Sequence, residues 1–388
     1  MVTMQTADKA LKSFYLDAVT DALDKAANPF LAQLKKSTAD VWGKDVRKLV
    51  RYGVNGGIAA GGETEELKAS DATNYVQFVS SLKNLYGTIE ISDKALRASQ
   101  NSEGAFVNLL NDEMDNLIKS ASLNFGRMLF GDGSGKLATV TELIPSSNCA
   151  VFDSVKNLFE GMMVCAYNPN GTKVGDFKIS AVVREEKKAT LSGIALVESN
   201  FPVGSYICMQ GGLEQEITGL GAIFDDTKEQ IYGVVRQSFM QPYKQTEVGE
   251  IDEDTIQKAI DSIEENSGSK VNFIVCSWGV RRALAAYYRQ HNVVLATQEI
   301  EGGYKALTFN GIPVVADRFC PEGTMYLLNT DDFCIHQLCD WQWLEGDDGK
   351  VLTKLPNKPV YSATLVKYAE LMCYKPGGQG MLSGITEK

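Results

Sequence analysis

The chain has 388 residues, of which 44 % are hydrophobic and 22 % are charged. This composition excludes a disordered protein and provides enough apolar material for two or three domains of ordinary size. The formal net charge of −11 argues against binding nucleic acid through its phosphates, since that mode needs clustered Lys and Arg.

Neither a membrane segment nor a secretory signal is predicted. No window approaches the ~18 apolar residues that a membrane-spanning helix needs. Residues 1–12 lack a basic region followed by an apolar run. Most of the eight cysteines stand in apolar, strand-like contexts, so we expect them to act as small hydrophobic residues in a reducing cytoplasm.

Residues 7–35 predict an amphipathic helix that Asn28-Pro29 interrupts. Its apolar stripe consists of Leu11, Phe14, Ala18, Ala22 and Ala26. Phe30, Leu31 and Leu34 then resume a short apolar face. Two interpretations stay open: a surface helix, or an arm whose apolar face is covered by another subunit.

The next segment predicts an extended β-hairpin. Apolar and basic residues alternate from Val46 to Val54, and Asn55-Gly56-Gly57 is a strong turn signal. A returning strand begins at Tyr75 and ends near Tyr86-Gly87. Because an isolated hairpin is marginal in water, we expect this one to lie along another part of the protein. A short strand over Thr88–Ser92 and a short helix from Asp93 to Ala98 follow.

Residues 102–131 predict one long amphipathic helix with Ser102 as N-cap and Gly131 just past its end. At a rise of ~1.5 Å per residue it is on the order of 40 Å long, so extended sheets must cover its apolar stripe. That stripe consists of Phe106, Leu110, Met114, Leu117, Ala121, Phe125 and Met128.

The remaining chain alternates between β-rich and mixed segments. Residues 150–212 predict a small antiparallel module of five or six strands. An α+β domain follows, with helices at Thr255–Glu265 and Trp278–Arg289 and strands at Val271–Cys276 and Ile312–Val315. A strand pair is predicted over Gly323–Cys339, and a long strand over Val360–Tyr374 is the expected partner of the long helix.

No catalytic or cofactor-binding residue is predicted. Gly131–Lys136 superficially resembles a phosphate-binding loop, but a helix precedes it and Leu137 follows the lysine, so a helix-terminating turn is favoured. The chain has no nucleophile elbow. With two histidines and no arranged carboxylate pair, it offers few candidates for acid–base catalysis.

One cluster of soft ligands, Cys334, His336 and Cys339, could in principle hold zinc together with Cys320. Strand alternation places residues 334 and 336 on one side and 339 on the other, unless a turn intervenes. A second pair of closely spaced ligands is missing. We therefore predict no metal site and keep the cluster as the best lead for an enzymatic function.

The elements together resemble the major capsid proteins of tailed phages, which adopt the fold named after phage Hong Kong 97. The resemblance follows the chain in order over nearly its whole length. It is carried by Arg51–Ile58, Tyr86–Ala95, Arg127–Gly135, Glu216–Leu220, Phe309–Asp317 and Gly323–Asp332.

The resemblance implies an α+β, Hong Kong 97-type capsid fold with a long spine helix, an extended β-hairpin loop, an axial α/β domain and an inserted small β domain. The implied divisions are an N-terminal arm at 1–40, the extended loop at 41–87, a peripheral domain with the spine helix at 88–149, the inserted β domain at 150–215, the axial domain at 216–345, and C-terminal strands of the peripheral domain at 346–388.

The resemblance also implies a structural, non-enzymatic protein. It would self-assemble into the pentamers and hexamers of an icosahedral phage capsid that encloses the DNA genome, and would reside in the virion after assembly in the host cytoplasm. Implied partners are further copies of the chain, a portal, a decoration protein and a scaffolding protein, which we expect to be separate because no long N-terminal scaffolding segment is present. No specific nucleic-acid binding and no membrane association are implied. Some relatives crosslink a Lys to an Asn, but no such pair is matched here.

Three alternatives stay open from the sequence. An encapsulin-like compartment shell has the same fold. A Cys/His metal-dependent enzyme would use the cluster at 334–339. A monomeric β-rich binding module would use residues 150–212.

Overall fold

Helices and strands cover most of the part of the chain that the structure describes. The computed structural model describes residues 28–93 apart from 65, 67, 68 and 70, together with 105–291, 297–300, 304–346 and 349–388. The helices are α1 (Pro29–Gln33), α2 (Ala105–Met128), α3 (Leu220–Phe224), α4 (Glu253–Ser267) and α5 (Trp278–Gln290). None of these helices has both the length and the apolar character needed to cross a membrane.

The strands of the described residues are β1 (Lys35–Ser37), β2 (Val41–Trp42), β3 (Asp45–Tyr52), β4 (Asn74–Ser81), β5 (Lys83–Ser92), β6 (Lys136–Ile144), β7 (Cys149–Phe152), β8 (Met163–Tyr167), β9 (Lys173–Val183), β10 (Lys188–Ser192), β11 (Tyr206–Met209), β12 (Gln230–Ile231), β13 (Val234–Val235), β14 (Tyr243–Gln245), β15 (Phe273–Cys276), β16 (Thr297–Ile300), β17 (Tyr304–Phe309), β18 (Ile312–Ala316), β19 (Met325–Leu328), β20 (Phe333–Trp343), β21 (Thr353–Lys354), β22 (Val360–Cys373) and β23 (Gly380–Leu382). Two units contain them. Unit 1 consists of the described residues up to Gly126 and from Ile223 to Lys388, and unit 2 consists of Arg127–Ala222.

A five-stranded sheet in unit 1 is built around the 14 residues of β22. This strand pairs antiparallel with β5 along one edge and with β20 followed by β21 along the other, and β1 adds parallel to β20. Since β22 is the longest strand described, it aligns the other four and fixes which of their side chains share a face.

The long helix α2 covers one face of this five-stranded sheet. Met114, Ile118 and Phe125 are buried. Leu117 lies so close to Gly87 of β5 that a Cβ placed on that glycine would be 2.9 Å from the leucine Cδ1. The Lys367 ammonium of the Val360–Cys373 strand lies 5.0 Å from the ring centroid of Phe125, which confirms the predicted partnership of helix and strand at this position. The predicted N-cap Ser102 lies outside the described residues.

A buried ion cluster holds the helix, the sheet and the N-terminal segment together. Lys367 of β22 is 1 % exposed, and its Nζ donates to Gln337 Oε1 at 2.9 Å and to Asp340 Oδ1 at 2.5 Å. The same ammonium lies 5.0 Å from the ring centroid of Phe125 in α2, and Lys36 of β1 reaches Asp340 Oδ2 at 3.1 Å. Burial by itself raises the pKa of Asp340, but the two lysines outweigh it and hold that pKa well below its usual range.

The prediction of a strand pair over residues 323–339 is wrong. β19 pairs with β15 and β23, whereas β20 pairs with β1 and β22 in the five-stranded sheet. The Asn329–Asp332 segment between them is a crossing turn that carries the chain from one sheet to another. A turn signal between two apolar runs is the same for a hairpin and for such a crossing, so the sequence pattern alone does not separate them.

Side chains from distant segments fix this crossing turn. Asn272 Oδ1 accepts from the Thr330 amide at 2.9 Å. Ser269 Oγ accepts from Asn329 Nδ2 at 3.0 Å, and Asp332 Oδ2 accepts from Gln379 Nε2 at 3.2 Å. The turn is therefore held by residues of the α4–β15 loop and of the segment before β23.

A seven-stranded sheet in unit 1 has the order β14-β23-β19-β15-β18-β17-β16. The predicted helices at 255–265 and 278–289 are confirmed as α4 and α5. Asp252 caps α4 by accepting from the Thr255 amide at 2.7 Å, and Ser277 caps α5 by accepting from the Val280 amide at 3.3 Å. Apolar residues of both helices share one core with this sheet, among them Ile256, Ile263, Val280, Leu284, Ile274 and Leu327.

The predicted returning strand over 75–87 is divided at Leu82. β4 pairs with β3 from Asn74 to Ser81, and the Leu82 amide donates to the Lys44 carbonyl at 3.0 Å. β5 then leaves the hairpin and pairs with β22 over Lys83–Ala369 through Ser92–Val360. The strand predicted separately at Thr88–Ser92 is thus the second half of β5. Residues 83–92 form one continuous strand because they all pair with the edge of β22.

The predicted arm at 1–40 belongs to the body of unit 1 from Asn28 onward. Asn28 caps α1, its side chain accepting from the Phe30 amide at 2.8 Å and donating to the Gly126 carbonyl at 3.2 Å. Phe30 is fully buried and meets Phe333 edge-to-face at 5.8 Å. Residues 28–34 are therefore covered by their own chain, which removes the need for a second subunit there. Residues 1–27, with most of the predicted stripe, lie outside the described residues.

Unit 2 contains a closed six-stranded barrel of order β10-β7-β6-β11-β8-β9. Its core includes Phe152, Phe177, Ile179, Phe201 and Ile207. The barrel begins at Lys136 rather than at the 150 expected from composition. The sequence does not mark β6 as part of the barrel, because its mixture of Leu, Ala and Val with Thr and Glu resembles the composition of the chain before it.

A buried ion pair and a tight glycine contact fix the entrance to the barrel. Arg127 pairs with Glu216, and both side chains are at most 6 % exposed. Gly135 has φ +79°, and a Cβ there would overlap the carbonyl oxygen of Gly212. Both the left-handed backbone and the close approach require glycine at this position.

Replacing Lys367 by Met is expected to lower the free energy of unfolding by ~3–5 kcal/mol, because Asp340 and Gln337 lose their buried cationic partner. Urea unfolding of the full chain measures it. Lys35→Met is the control, since Lys35 forms an exposed ion pair with Asp331 and its loss should not change the midpoint. Equal effects of the two variants would contradict the importance of the buried cluster.

Gly135→Ala is expected to destabilise unit 2 by several kcal/mol, because backbone strain and overlap with Gly212 add together. The matched control is Gly161→Ala, whose glycine has φ +89° with no atom within 4 Å of an added Cβ, so only the strain of ~1–2 kcal/mol is expected. Proteolysis of the barrel under partly denaturing conditions measures both. Similar losses in the two variants would show that the close approach does not matter.

Candidate functional site

The β3–β4 hairpin has two different faces. Val46 and Phe78 are fully buried on the inner face, and Tyr52 stacks on Phe239 with ring centroids 4.5 Å apart. The outer face carries Arg47, Leu49, Arg51, Tyr75 and Gln77, all of them exposed. The expectation that the hairpin lies along another part of the protein is confirmed for its inner face.

The outer face of the hairpin combines positive charge with exposed apolar area. Leu49 is 62 % exposed and Tyr75 is 56 % exposed. Arg51 lies directly opposite Tyr75 in the strand pair, and Leu49 lies opposite Gln77. On a chain of net charge −11, such a cationic and apolar strip fits an acidic surface with apolar spots.

The loop that joins the two strands is exposed throughout its described residues 53–64, 66, 69 and 71–72. Val54 and Ile58 are 83 % and 85 % exposed. Asn55 Oδ1 accepts from the Gly57 amide at 2.8 Å, and Asn55 Nδ2 lies 3.4 Å from Thr73 Oγ1. Large apolar side chains at the end of a hairpin are suited to contact with another molecule.

A second exposed apolar surface lies on the sheet face opposite α2. Tyr86 of β5 and Leu338 of β20 are 61 % and 51 % exposed, and Leu344 is 53 % exposed. Tyr86 meets Tyr368 of β22 edge-to-face at 6.3 Å. We call Tyr86, Leu338, Leu344 and Tyr368 the outer sheet patch. The outer sheet patch cannot be predicted from strand alternation, because alternation does not show which of two apolar sheet faces the helix covers.

The zinc lead at 334–339 is placed differently from the expectation. The register of β20 shifts between Gln337 and Cys339, so Cys334, His336 and Cys339 lie opposite Met372, Glu370 and Tyr368. Those three partners share one face of β22, so the β-bulge brings Cys339 to the side of the other two and corrects the alternation argument. Among the described residues, however, no group of three or more His, Cys, Asp or Glu side chains is arranged to hold a metal ion.

His336 lies in a packed pocket below the base of the hairpin rather than in a metal site. Its Nε2 lies 2.8 Å from the Tyr374 hydroxyl, and its Nδ1 has no hydrogen-bond partner among the described residues. Lys48 of β3 pairs with Asp40 at 3.3 Å and lies 5.1 Å from the Tyr374 ring centroid. Burial lowers the pKa of His336, with the neighbouring Asp40 opposing and Lys48 reinforcing the shift.

The eight cysteines are free thiols. Burial, followed by the charge of Glu216, raises the pKa of Cys208 to about 12, and burial raises the pKa of Cys276 to about 12. A buried thiol with a raised pKa is a poor nucleophile and a poor ligand. Nucleophilic catalysis or metal binding by Cys208 and Cys276 is therefore not supported.

The Gly131–Lys136 segment forms the predicted turn. The Ser134 amide and hydroxyl both donate to Asp132 Oδ1, at 3.0 and 2.6 Å, and Ser134 Oγ accepts from the Lys136 amide at 3.3 Å. The polar groups of the turn thus bind one another in the manner of an Asx turn. An anion-binding loop would instead direct its amides outward.

A comparison with solved structures places this arrangement in a known fold. A cyanophage A-1(L) capsid asymmetric unit matches with a TM-score of 0.57 and 12 % identity, over 93 % of each chain. The holo-SrpI encapsulin complex from Synechococcus elongatus PCC 7942 matches with a TM-score of 0.50 and 10 % identity, over 93 % of this chain and 89 % of the other. No protein-family profile and no curated protein sequence matches the chain. At such low identity the likeness establishes the fold, which is the Hong Kong 97-type capsid fold expected from the sequence.

His336→Gln is expected to reduce the loss of stability on mild acidification. The folded pKa of His336 lies below its unfolded value, so the unfolded chain takes up the proton first and stability falls as the pH drops through ~6.5, by at most ~1.4 kcal/mol per pH unit. Gln keeps a hydrogen bond to Tyr374 but does not titrate. Urea unfolding at several pH values between ~7 and ~5, compared between the variant and the parent chain, measures it.

The control for this experiment is His291→Gln, since His291 is exposed at the end of α5 and is the other of the two histidines. We expect that variant to keep the pH slope of the parent chain. An unchanged slope in His336→Gln would contradict the assignment of the acid sensitivity to His336.

Proposed function

We propose that this chain, which has the Hong Kong 97-type fold, is a structural protein that assembles into the pentamers and hexamers of an icosahedral phage capsid enclosing a DNA genome. The observation that carries the proposal is the match over 93 % of the chain to the subunit of a cyanophage capsid. A structural rather than catalytic role agrees with the sites described above, where seven of the eight cysteines are buried and the polar groups of the Gly131–Lys136 turn bind one another.

In this proposal the described chain divides as the family resemblance implies. The hairpin of β3 and β4 is the extended loop, α2 with the five-stranded sheet is the peripheral domain, the seven-stranded sheet with α4 and α5 is the axial domain, and the barrel is the inserted domain. The axial domains would meet around the five-fold and six-fold axes. Rings of identical subunits need a surface and its complement on each copy.

The two exposed apolar surfaces supply such a pair. The outer face of the hairpin offers Leu49 and Tyr75 beside Arg47 and Arg51, and the outer sheet patch of a neighbouring copy offers Tyr86 and Leu338. Glu90 is exposed on the same sheet face as Tyr86, in the strand that pairs with β22. Apolar burial would supply the affinity, and the arginines and carboxylates would set the orientation.

Assembly in the host cytoplasm with a scaffolding protein, a portal and a decoration protein also belongs to this proposal. A second candidate is the shell of an encapsulin-like compartment, which the match at TM-score 0.50 favours. Particles purified from the expressing host separate the two, since a capsid encloses DNA when the packaging proteins are present, whereas a compartment encloses protein cargo.

Leu49→Ser is expected to shift the full chain from shells or rings toward monomers by about tenfold or more in concentration, because burying one leucine contributes ~1.5–3 kcal/mol per contact. Light scattering and negative-stain electron microscopy measure the shift. Leu338→Ser should weaken assembly by a similar factor if the outer sheet patch receives the hairpin.

The matched control is Val203→Ser on the barrel, since Val203 is 62 % exposed, as is Leu49. It should leave assembly unchanged. A parent chain that stays monomeric at high concentration, even with a scaffolding protein supplied, would contradict the shell function. A Val203→Ser effect equal to that of Leu49→Ser would contradict the assigned surface.

A further inference from the structure

The exposed end of the hairpin contains a reactive backbone sequence, Asn55-Gly56. A side-chain amide followed by glycine can cyclise, because glycine has no Cβ to hinder the approach of its nitrogen. The chain contains the same pair at Asn170-Gly171 and Asn310-Gly311. The three pairs differ in their structural surroundings, which allows their reactivity to be compared within one molecule.

The side-chain carbonyl of Asn55 is polarised by a hydrogen bond. Its Oδ1 accepts a hydrogen bond from the Gly57 amide at 2.8 Å. A donor at this oxygen stabilises the negative charge that develops there when a nucleophile attacks the adjacent carbon. Its Nδ2, the leaving nitrogen, lies 3.4 Å from Thr73 Oγ1.

A carboxylate lies beside the attacking residue. A Cβ placed on Gly56 would be 2.5 Å from Asp71 Oδ2, so this oxygen is in contact with the glycine. The other oxygen, Oδ1, is occupied by the Ala72 amide at 2.7 Å. Among the described residues the Gly56 N–H has no hydrogen-bond partner. Oδ2 therefore lies beside Gly56 without accepting its N–H in this conformation. Within the proposal, a small movement of the exposed loop brings it to the proton that Gly56 must release, as a general base.

The other two pairs lack this arrangement. The Gly171 amide donates to the Asn168 carbonyl at 2.9 Å, so its N–H is already bound. Asn310 has φ +48° in a tight turn, and its Nδ2 donates to Gln257 Oε1 at 2.9 Å. Its backbone is held in the left-handed region, which Asn55 does not adopt, whereas the side-chain amide of each residue donates one hydrogen bond.

We propose that Asn55 is a site of spontaneous deamidation promoted by Asp71. The Gly56 nitrogen forms a bond to Asn55 Cγ and passes its proton to Asp71. The Cγ–Nδ2 bond then breaks, and ammonia leaves with that proton, so that a succinimide ring remains. Water opens the ring and yields either aspartate or isoaspartate. The reaction needs no oxidant and no cofactor.

The product changes the end of the hairpin. Each conversion adds one negative charge next to Asp71, and the isoaspartate form adds a methylene to the main chain between β3 and β4. Both changes weaken the closure of the loop by Asn55 and Thr73. The inference concerns the chain itself and does not rest on the proposed function.

The test follows all three pairs in the purified full chain during incubation at neutral pH, with peptide mapping by mass spectrometry that separates asparagine, succinimide, aspartate and isoaspartate. We expect Asn55 to convert at least about tenfold faster than Asn170 or Asn310 in the folded chain. In denaturant the three rates should come within about threefold of one another, because all three are followed by glycine.

Asp71→Asn is the decisive variant, since it keeps the size of the side chain and removes the base. It should slow conversion at Asn55 about tenfold and leave Asn170 and Asn310 unchanged. The unchanged rate at Asn310, which lies with Asp71 in unit 1, also shows that the variant is folded. The proposal is overturned if the folded ratio of Asn55 to Asn170 does not exceed the ratio in denaturant, or if Asp71→Asn does not lower it.

Discussion

The described fold of unit 1 depends on placing a charged side chain inside it. Lys367 projects from the central strand β22 into the layer between sheet and helix, where an isolated ammonium would be strongly unfavourable. Only a fixed set of partners makes this placement possible, and these partners come from β20 and α2, while Lys36 of β1 binds the same Asp340. A slip of β22 by one residue would move the charge to the opposite face and leave Asp340 and Gln337 buried without it. The cluster thus fixes the register of the sheet beneath the long helix.

Local patterns predicted the elements that depend on neighbours in sequence. The helical period from Phe106 to Met128, the alternation along β22 and the turn at Asn55 each carry their signal within a few residues. The prediction failed where partners are far apart along the chain. No sequence feature near Leu82 indicates that β5 leaves the hairpin and pairs with β22, because this pairing depends on a strand nearly three hundred residues away in the sequence.

The two candidate surfaces also differ in how far a local sequence pattern predicts them. The alternation of apolar and basic residues from Val46 predicts a hairpin strand, but it groups Leu49 with the apolar residues, whereas the structure exposes Leu49 beside Arg47 and Arg51. The outer sheet patch has no such signal, since Tyr86 and Leu338 are apolar residues in strands whose other face is equally apolar. The bulge that turns Cys339 toward His336 was likewise out of reach, because a bulge inserts a residue without a consistent composition. The sequence alone therefore does not decide between a metal site and a packed pocket at Cys334, His336 and Cys339.

The crossing turn at Asn329–Asp332 has a mechanical consequence. Within the described residues it is one of two direct links between the seven-stranded and the five-stranded sheet, the other being the segment from β22 to β23, and side chains from Asn272, Ser269 and Gln379 hold it. A link fastened on several sides transmits force and torque instead of absorbing them. The two sheets are therefore expected to move together when either one is displaced. A change in the shape of this subunit should then occur at segments with fewer tertiary hydrogen bonds, such as the exposed loop between β3 and β4.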